Sequence, residues 1–96
     1  MTEDTRIKRL RMRSWRRGTK EMDLILGPFA DRRAAGLDAA MLDRYEALLE
    51  ENDQDLYAWI LARINGREAA IPPDLLGILD VVIADAVGRL GVKDKI

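Results

Sequence analysis

The chain has no cysteine and no histidine. It therefore lacks the commonest general base, the usual nucleophilic thiol and the usual soft metal ligands. Disulfides are impossible, which fits a reducing compartment. No apolar run approaches the roughly 20 residues that a bilayer-spanning helix needs. The opening Met1-Thr2-Glu3-Asp4 carries two acids and no apolar signal segment, so a soluble, cytoplasmic protein is expected. Alternation of period two is nowhere sustained, which argues against a sheet. No Gly-x-Gly-x-x-Gly follows a strand, so a dinucleotide fold has no foothold. With 96 residues, one domain is expected over 1–96, burying roughly 60–65% of the surface of its unfolded form. That supports a small core and not a deep, walled cleft. No catalytic residue and no metal ligand is assigned. The acids Glu50, Glu51, Asp53 and Asp55 read as caps and a solvated face, not as a carboxylate active site; a second contact surface is the alternative for Asp53 and Asp55, ranked below capping.

What is present is charge, unevenly placed. The net charge of −1 combines ten Lys/Arg and five Asp/Glu in residues 1–33 with six and twelve in residues 34–96. Either a basic face awaits an anionic partner, or the two halves match each other internally.

Helical periodicity predicts a single all-α domain, a compact five-helix bundle, with loose ends at about 1–4 and 92–96. Residues 5–15 set Ile7, Leu10, Ser14 and Trp15 on one arc. Residues 19–35 turn Met22, Ile25, Leu26 and Phe29 inward, and Gly27-Pro28 predicts a kink or break there, since proline costs about 3 kcal/mol inside a regular helix. Residues 38–51 carry Met41, Leu42, Tyr45, Leu48 and Leu49 behind an Asp38 cap. Residues 54–64 follow an Asp53 cap with Leu56, Trp59, Ile60 and Ile64, ending at Asn65-Gly66. Residues 73–90, from Pro73 to a stop at Gly91, hold the longest stripe: Leu75, Leu76, Leu79, Val82, Ile83, Ala86, Val87 and Leu90. Each stripe can be buried within the bundle, so a monomer is expected.

Eight cations crowd residues 6–20, and the run ends at Arg16-Arg17-Gly18 followed by Glu21 and Asp23. One reading is structural: Gly18 as a helix N-cap, Glu21 reaching back to its amide, and Glu21 and Asp23 complementing the helix dipole. It leaves Arg16 and Arg17 without a role. A second reading is a basic arm, Arg6 to Lys20, lying along nucleic acid phosphates. Against it stand the acidic remainder and the lack of a helix-turn-helix or an aromatic stacking platform.

A third reading comes from the whole series: Trp15-Arg16-Arg17-Gly18-Thr19-Lys20-Glu21-Met22-Asp23, then Pro28-Phe29, then Asp53-Gln54-Asp55-Leu56-Tyr57-Ala58-Trp59-Ile60. Over about residues 6–75 the chain resembles the SdhE family of FAD assembly factors, known in mitochondria as succinate dehydrogenase assembly factors. The family's Arg-Gly-x-x-Glu hallmark is met by Arg17, Gly18 and Glu21. Its Asp-Leu-aromatic-x-Trp pattern is met by Asp55, Leu56, Tyr57 and Trp59. The resemblance implies a five-helix bundle that binds the flavoprotein subunit of succinate dehydrogenase, in some members also fumarate reductase, and promotes covalent attachment of FAD to a histidine of that subunit. It implies client-binding roles for Arg17, Gly18 and Glu21, with Trp15, Arg16 and Asp23 as neighbours. Arg17 would offer a forked donor to the client, and Glu21 would orient Arg17 or meet a client base. Without histidine or cysteine of its own, the chain is expected to act as a chaperone-like factor that holds no FAD stably, with the bond formed inside the client.

Overall fold

Three helices begin at a side-chain oxygen that takes up an otherwise unpaired amide of the first turn. In the computed structural model, which describes residues 3–90, Thr19 caps α2 (Lys20–Arg33) by accepting from the Met22 amide. Asp38 caps α3 (Ala39–Leu49) through the Met41 amide. Asn52 caps α4 (Asp53–Ile64) through the Asp55 amide. α1 spans Glu3–Ser14, α5 spans Pro73–Leu90, and a short 3₁₀ turn, Ala34–Gly36, follows α2. Two cap positions differ from expectation by one residue. Gly18 has φ +101°, outside the extended conformation of a cap, and Thr19 takes that role. Asp53 yields to Asn52 because its carboxylate is engaged elsewhere, as described below. α4 ends as expected at Asn65-Gly66: Gly66 has φ +69°, its amide bonds the Arg63 carbonyl, and the Arg67 amide bonds that of Ala62. This is the paired closure of a Schellman turn.

The described residues form an all-α bundle without a strand. α1 packs on α2, α3 and α2 pack on α5, and α4 closes against α5. The core gathers Leu10, Met22, Leu26, Phe29, Tyr45 and Ile78, among others. Phe29 and Tyr45 meet at its centre, ring centroids 5.1 Å apart. Trp59, expected inside, is half-buried at the edge. On α5 the buried side is Leu75, Ile78, Leu79, Val82, Asp85 and Ala86, part of a turn away from the expected stripe, so Leu90 is exposed. Of the ends expected to be loose, residues 1–2 and 92–96, and the Gly91 stop, lie outside the described residues; α1 already begins at Glu3.

α2 runs unbroken through Gly27-Pro28, against the expected break. Two contacts explain this. Pro28 has no N–H for the Leu24 carbonyl, and Arg89 of α5 supplies the missing donor: Nη1 bonds Leu24 O at 3.1 Å, while Nη2 bonds Ile25 O at 3.1 Å. The Arg89 Nε is held by Asp85 at 2.9 Å, and that carboxylate is 1% exposed. Gly27 in turn lies under the indole of Trp15, where an added Cβ would stand 2.3 Å from the ring. The Trp15 Nε1 donates to Asp31 at 3.1 Å.

Buried Tyr45 carries the fold's clearest pH dependence. The Tyr45 and Ser14 hydroxyls share a hydrogen bond of 2.6 Å, with the Leu10 carbonyl 2.7 Å from Ser14 Oγ and the Leu26 carbonyl 3.4 Å from the phenol oxygen as further acceptors. Burial, partly opposed by the Ser14 bond, pushes the phenol up to about 12. The folded state therefore keeps a proton that the unfolded chain gives up near pH 10. This contribution is intact below pH 10 and is lost as pH rises towards 12. Between pH 9 and 11.5 the loss should be about 2 kcal/mol. Urea unfolding of Tyr45→Phe at the two pH values should show that much less alkaline sensitivity than the parent; equal sensitivity would contradict the assignment.

Candidate functional site

The α1–α2 connection, residues 15–19, is built around a side chain that points inward. The Arg17 guanidinium, 10% exposed, meets three acceptors of the α3–α4 junction. Its Nε bonds Asp53 Oδ1 at 2.8 Å, Nη1 bonds Leu49 O at 2.6 Å, and Nη2 bonds Glu51 O at 2.5 Å. The two carbonyls are orphans at the C-terminal end of α3, where a cation also complements the helix dipole. Asp53 is the first residue of α4, so the guanidinium pins one turn to another 36 residues on. On the other side, the Arg17 amide donates to Asp23 Oδ1 at 2.8 Å, and the Asp23 amide to Thr19 O at 3.1 Å.

This corrects the expected use of the fork. Arg17 does not present its donors outward; the chain's own carboxylate and carbonyls occupy them. Nor does Glu21 orient it, since Asp53 does so. Of the six residues assigned from the sequence, Trp15, Arg16, Gly18 and Glu21 are exposed, whereas Arg17 and Asp23 brace the turn from behind. Glu21 sits in the first turn of α2 with no polar partner among the described residues, so its charge faces solvent beside a helix N-terminus. Gly18 passes close to Asp53: a Cβ there would stand 3.9 Å from Oδ2, and φ +101° is closed to most side chains.

Of the far wall, sequence reasoning offered Asp53 alone, as a second contact surface ranked below its role as a cap. A pocket of about 120 Å³ is lined by Thr19, Glu21, Asp53, Gln54 and Tyr57, bringing the starts of α2 and α4 together. The signal was the proximity of Asp53 and Gln54 to the Asp55-Leu56-Tyr57 pattern, whose partner segment only the fold reveals. The nearby acids are engaged: Glu50 pairs with Arg13, and Asp55 bonds the Asn52 amide side chain at 3.0 Å. Among the described residues no cluster of acids could hold a metal ion, and no helix is long and apolar enough to cross a membrane.

The uneven charge is partly resolved within the molecule. Arg6 bonds Asp43 and Glu46 of α3 at 2.7 and 2.9 Å, Arg11 lies 3.9 Å from Asp31, Arg13 pairs with Glu50, and Arg17 pairs with Asp53. Half of the eight cations in residues 6–20 thus face the chain's own acids.

Comparison with known proteins places this arrangement. A family model described as flavinator of succinate dehydrogenase matches residues 8–77, which include the whole pinned turn and the α4 wall. The chain belongs to the succinate dehydrogenase flavinator family. The FAD assembly factor SdhE of Pseudomonas aeruginosa is 39% identical over 85 residues, covering 88% of this chain and all of that protein. SdhE of Pseudomonas syringae pv. tomato is 35% identical over 82 residues, 85% of this chain and 96% of the relative. Succinate dehydrogenase assembly factor 2, mitochondrial, of Meyerozyma guilliermondii is 41% identical over 58 residues, 60% of this chain and 43% of the relative. The chain thus spans the whole of a bacterial flavinator relative and less than half of this mitochondrial one. No solved structure matches it.

Proposed function

We propose that this protein binds the flavoprotein subunit of succinate dehydrogenase, and that of fumarate reductase where that enzyme is present, and promotes covalent attachment of FAD. The observation that carries this reading is the shape of the Arg-Gly-x-x-Glu turn in a flavinator-family chain: braced from behind by Arg17, with Gly18 and Glu21 at the surface. A rigid turn loses little conformational entropy on docking, so more of its contact energy is left for affinity. The protein works as an assembly factor and not as an enzyme. It has no histidine or cysteine to carry the flavin, so the bond forms inside the client, from the client's own histidine. Its contribution is preferential binding of the client conformation in which flavin and histidine are aligned, since only differential affinity shifts a population. It holds no FAD of its own and acts as a cytoplasmic monomer. The internal pairing of Arg6, Arg11, Arg13 and Arg17 weakens the competing nucleic-acid reading.

Apo-flavoprotein incubated with FAD and purified variants, with covalent flavin followed by in-gel fluorescence, tests the reading. Glu21→Ala should slow flavin attachment about tenfold, equivalent to about 1.4 kcal/mol, while leaving the melting temperature unchanged. Gly18→Val should abolish it, because the backbone conformation there excludes a β-branched residue. Parent-like attachment by a well-folded Glu21→Ala would remove the turn from the contact surface.

A further inference from the structure

The cations of residues 6–20 that lack an acidic partner among the described residues are Lys8, Arg9, Arg16 and Lys20. Two of these, Arg9 on α1 and Arg16 in the connection that follows it, lie along one side of the molecule. Arg9, Met12 and Arg16 are spaced i, i+3 and i+7, the interval that aligns side chains along a helix. The helical path continues past Ser14, because the Trp15 amide bonds Arg11 O at 3.1 Å and the Arg16 amide bonds Arg13 O at 3.4 Å. Together with Arg13 and Arg17, these three border a shallow cleft of about 320 Å³. Arg13 and Arg17 are already neutralised by Glu50 and Asp53, so the cleft's net charge comes from Arg9 and Arg16. Between them Met12 is 52% exposed, and Trp15, at the end of the same helix, is 41% exposed. An exposed methionine between two arginines without an acidic partner among the described residues has the composition of a protein interface, since methionine and arginine are enriched at such surfaces.

We propose that this face of α1 docks an acidic, partly apolar segment of the flavoprotein client. The inference rests on the client reading above and extends it to a surface outside the Arg-Gly-x-x-Glu turn. Arg16 follows Arg9 by seven residues, about 10 Å along the helix axis and its short continuation. The segment that fits carries two carboxylates about that far apart, with an apolar side chain between them to cover Met12. Arg9 and Arg16 would take the carboxylates in forked bonds, strengthened as the cleft loses water. The turn and this face flank the same stretch of chain, so a client seated on Gly18 and Glu21 meets the arginines without further rearrangement.

The test measures binding of fluorescently labelled protein to the purified apo-flavoprotein subunit by anisotropy, at 50 and 300 mM salt. The proteins are the parent, Arg9→Glu/Arg16→Glu, Arg9→Gln/Arg16→Gln and Met12→Ala. Both arginines are exposed and have no acidic partner among the described residues, so the variants should keep the parent's melting temperature, and the glutamine pair retains the answer if charge reversal perturbs folding. The double charge reversal should weaken binding at least tenfold at low salt, with the deficit shrinking at high salt. Met12→Ala should weaken it severalfold with the salt dependence unchanged. Affinity within twofold of the parent for both arginine pairs, with the same salt dependence, overturns the proposal while leaving the turn reading intact. So does a 20-base-pair DNA duplex whose binding, and not that of the flavoprotein, is lost in the variants. If the parent itself fails to bind the flavoprotein, the client reading falls and this proposal with it.

Discussion

Arg17→Ala should lower stability by about 3–5 kcal/mol, because it strands a nearly buried carboxylate and two helix-end carbonyls at once. For a domain of this size that corresponds to a fall of roughly 15 °C or more in melting temperature. The loss of flavin attachment in this variant should therefore come with a loss of fold, in contrast to Glu21→Ala, where attachment falls alone. Arg17→Lys discriminates further. An ammonium can meet Asp53 but cannot present three donors to three acceptors in one plane, so it should recover less than half of the stability. Differential scanning fluorimetry beside the flavin-attachment assay separates the two effects. An Arg17→Ala protein with parent stability would mean that the guanidinium does not brace the turn.

Arg89→Met should cost a similar amount through a different mechanism. Among the described residues the Asp85 carboxylate, 1% exposed, would be left with only Arg32 at 3.7 Å, and the Leu24 carbonyl would lose the donor that replaces the missing Pro28 amide. Removing one member of a buried pair typically costs about 3–5 kcal/mol. The proline makes this prediction specific. In a Pro28→Ala background the helix regains its own donor for Leu24, and the Arg89→Met penalty should shrink by about 1 kcal/mol. Urea unfolding of the four proteins in that cycle reads the coupling directly. Zero coupling would show that Arg89 does not stand in for the missing Pro28 amide.

The helices, their order and most of their buried residues were legible because they depend on local rules. Periodicity located the α2 core of Met22, Ile25, Leu26 and Phe29, and turn chemistry located Asp38 and Asn65-Gly66. What escaped depended on partners distant in sequence. Proline predicts a broken α2 if its neighbours are solvent, and Arg89, more than 60 residues away, supplies the bond that keeps it whole. Asp53 has the chemistry of a cap, and Arg17 draws it away from that use, leaving Asn52 to serve. Asp85 drew no notice in the sequence, where the apolar stripe passes it by, and it is the anchor of Arg89. In the candidate site the residues themselves were legible, but the direction of one was not. An arginine beside an exposed glycine reads equally well as pointing out or in, and only the arrival of the α3–α4 junction decides it.

The bracing of residues 15–19 by Leu49, Glu51 and Asp53 also determines when the protein becomes competent. During synthesis the motif leaves the ribosome long before α4 does, and until α4 arrives Arg17 has nothing to grip. A short synthetic fragment bearing the motif letters would share that deficiency. On the proposed reading, recognition of a client through this knuckle belongs to a chain whose α4 has already formed, which keeps half-made copies from occupying it.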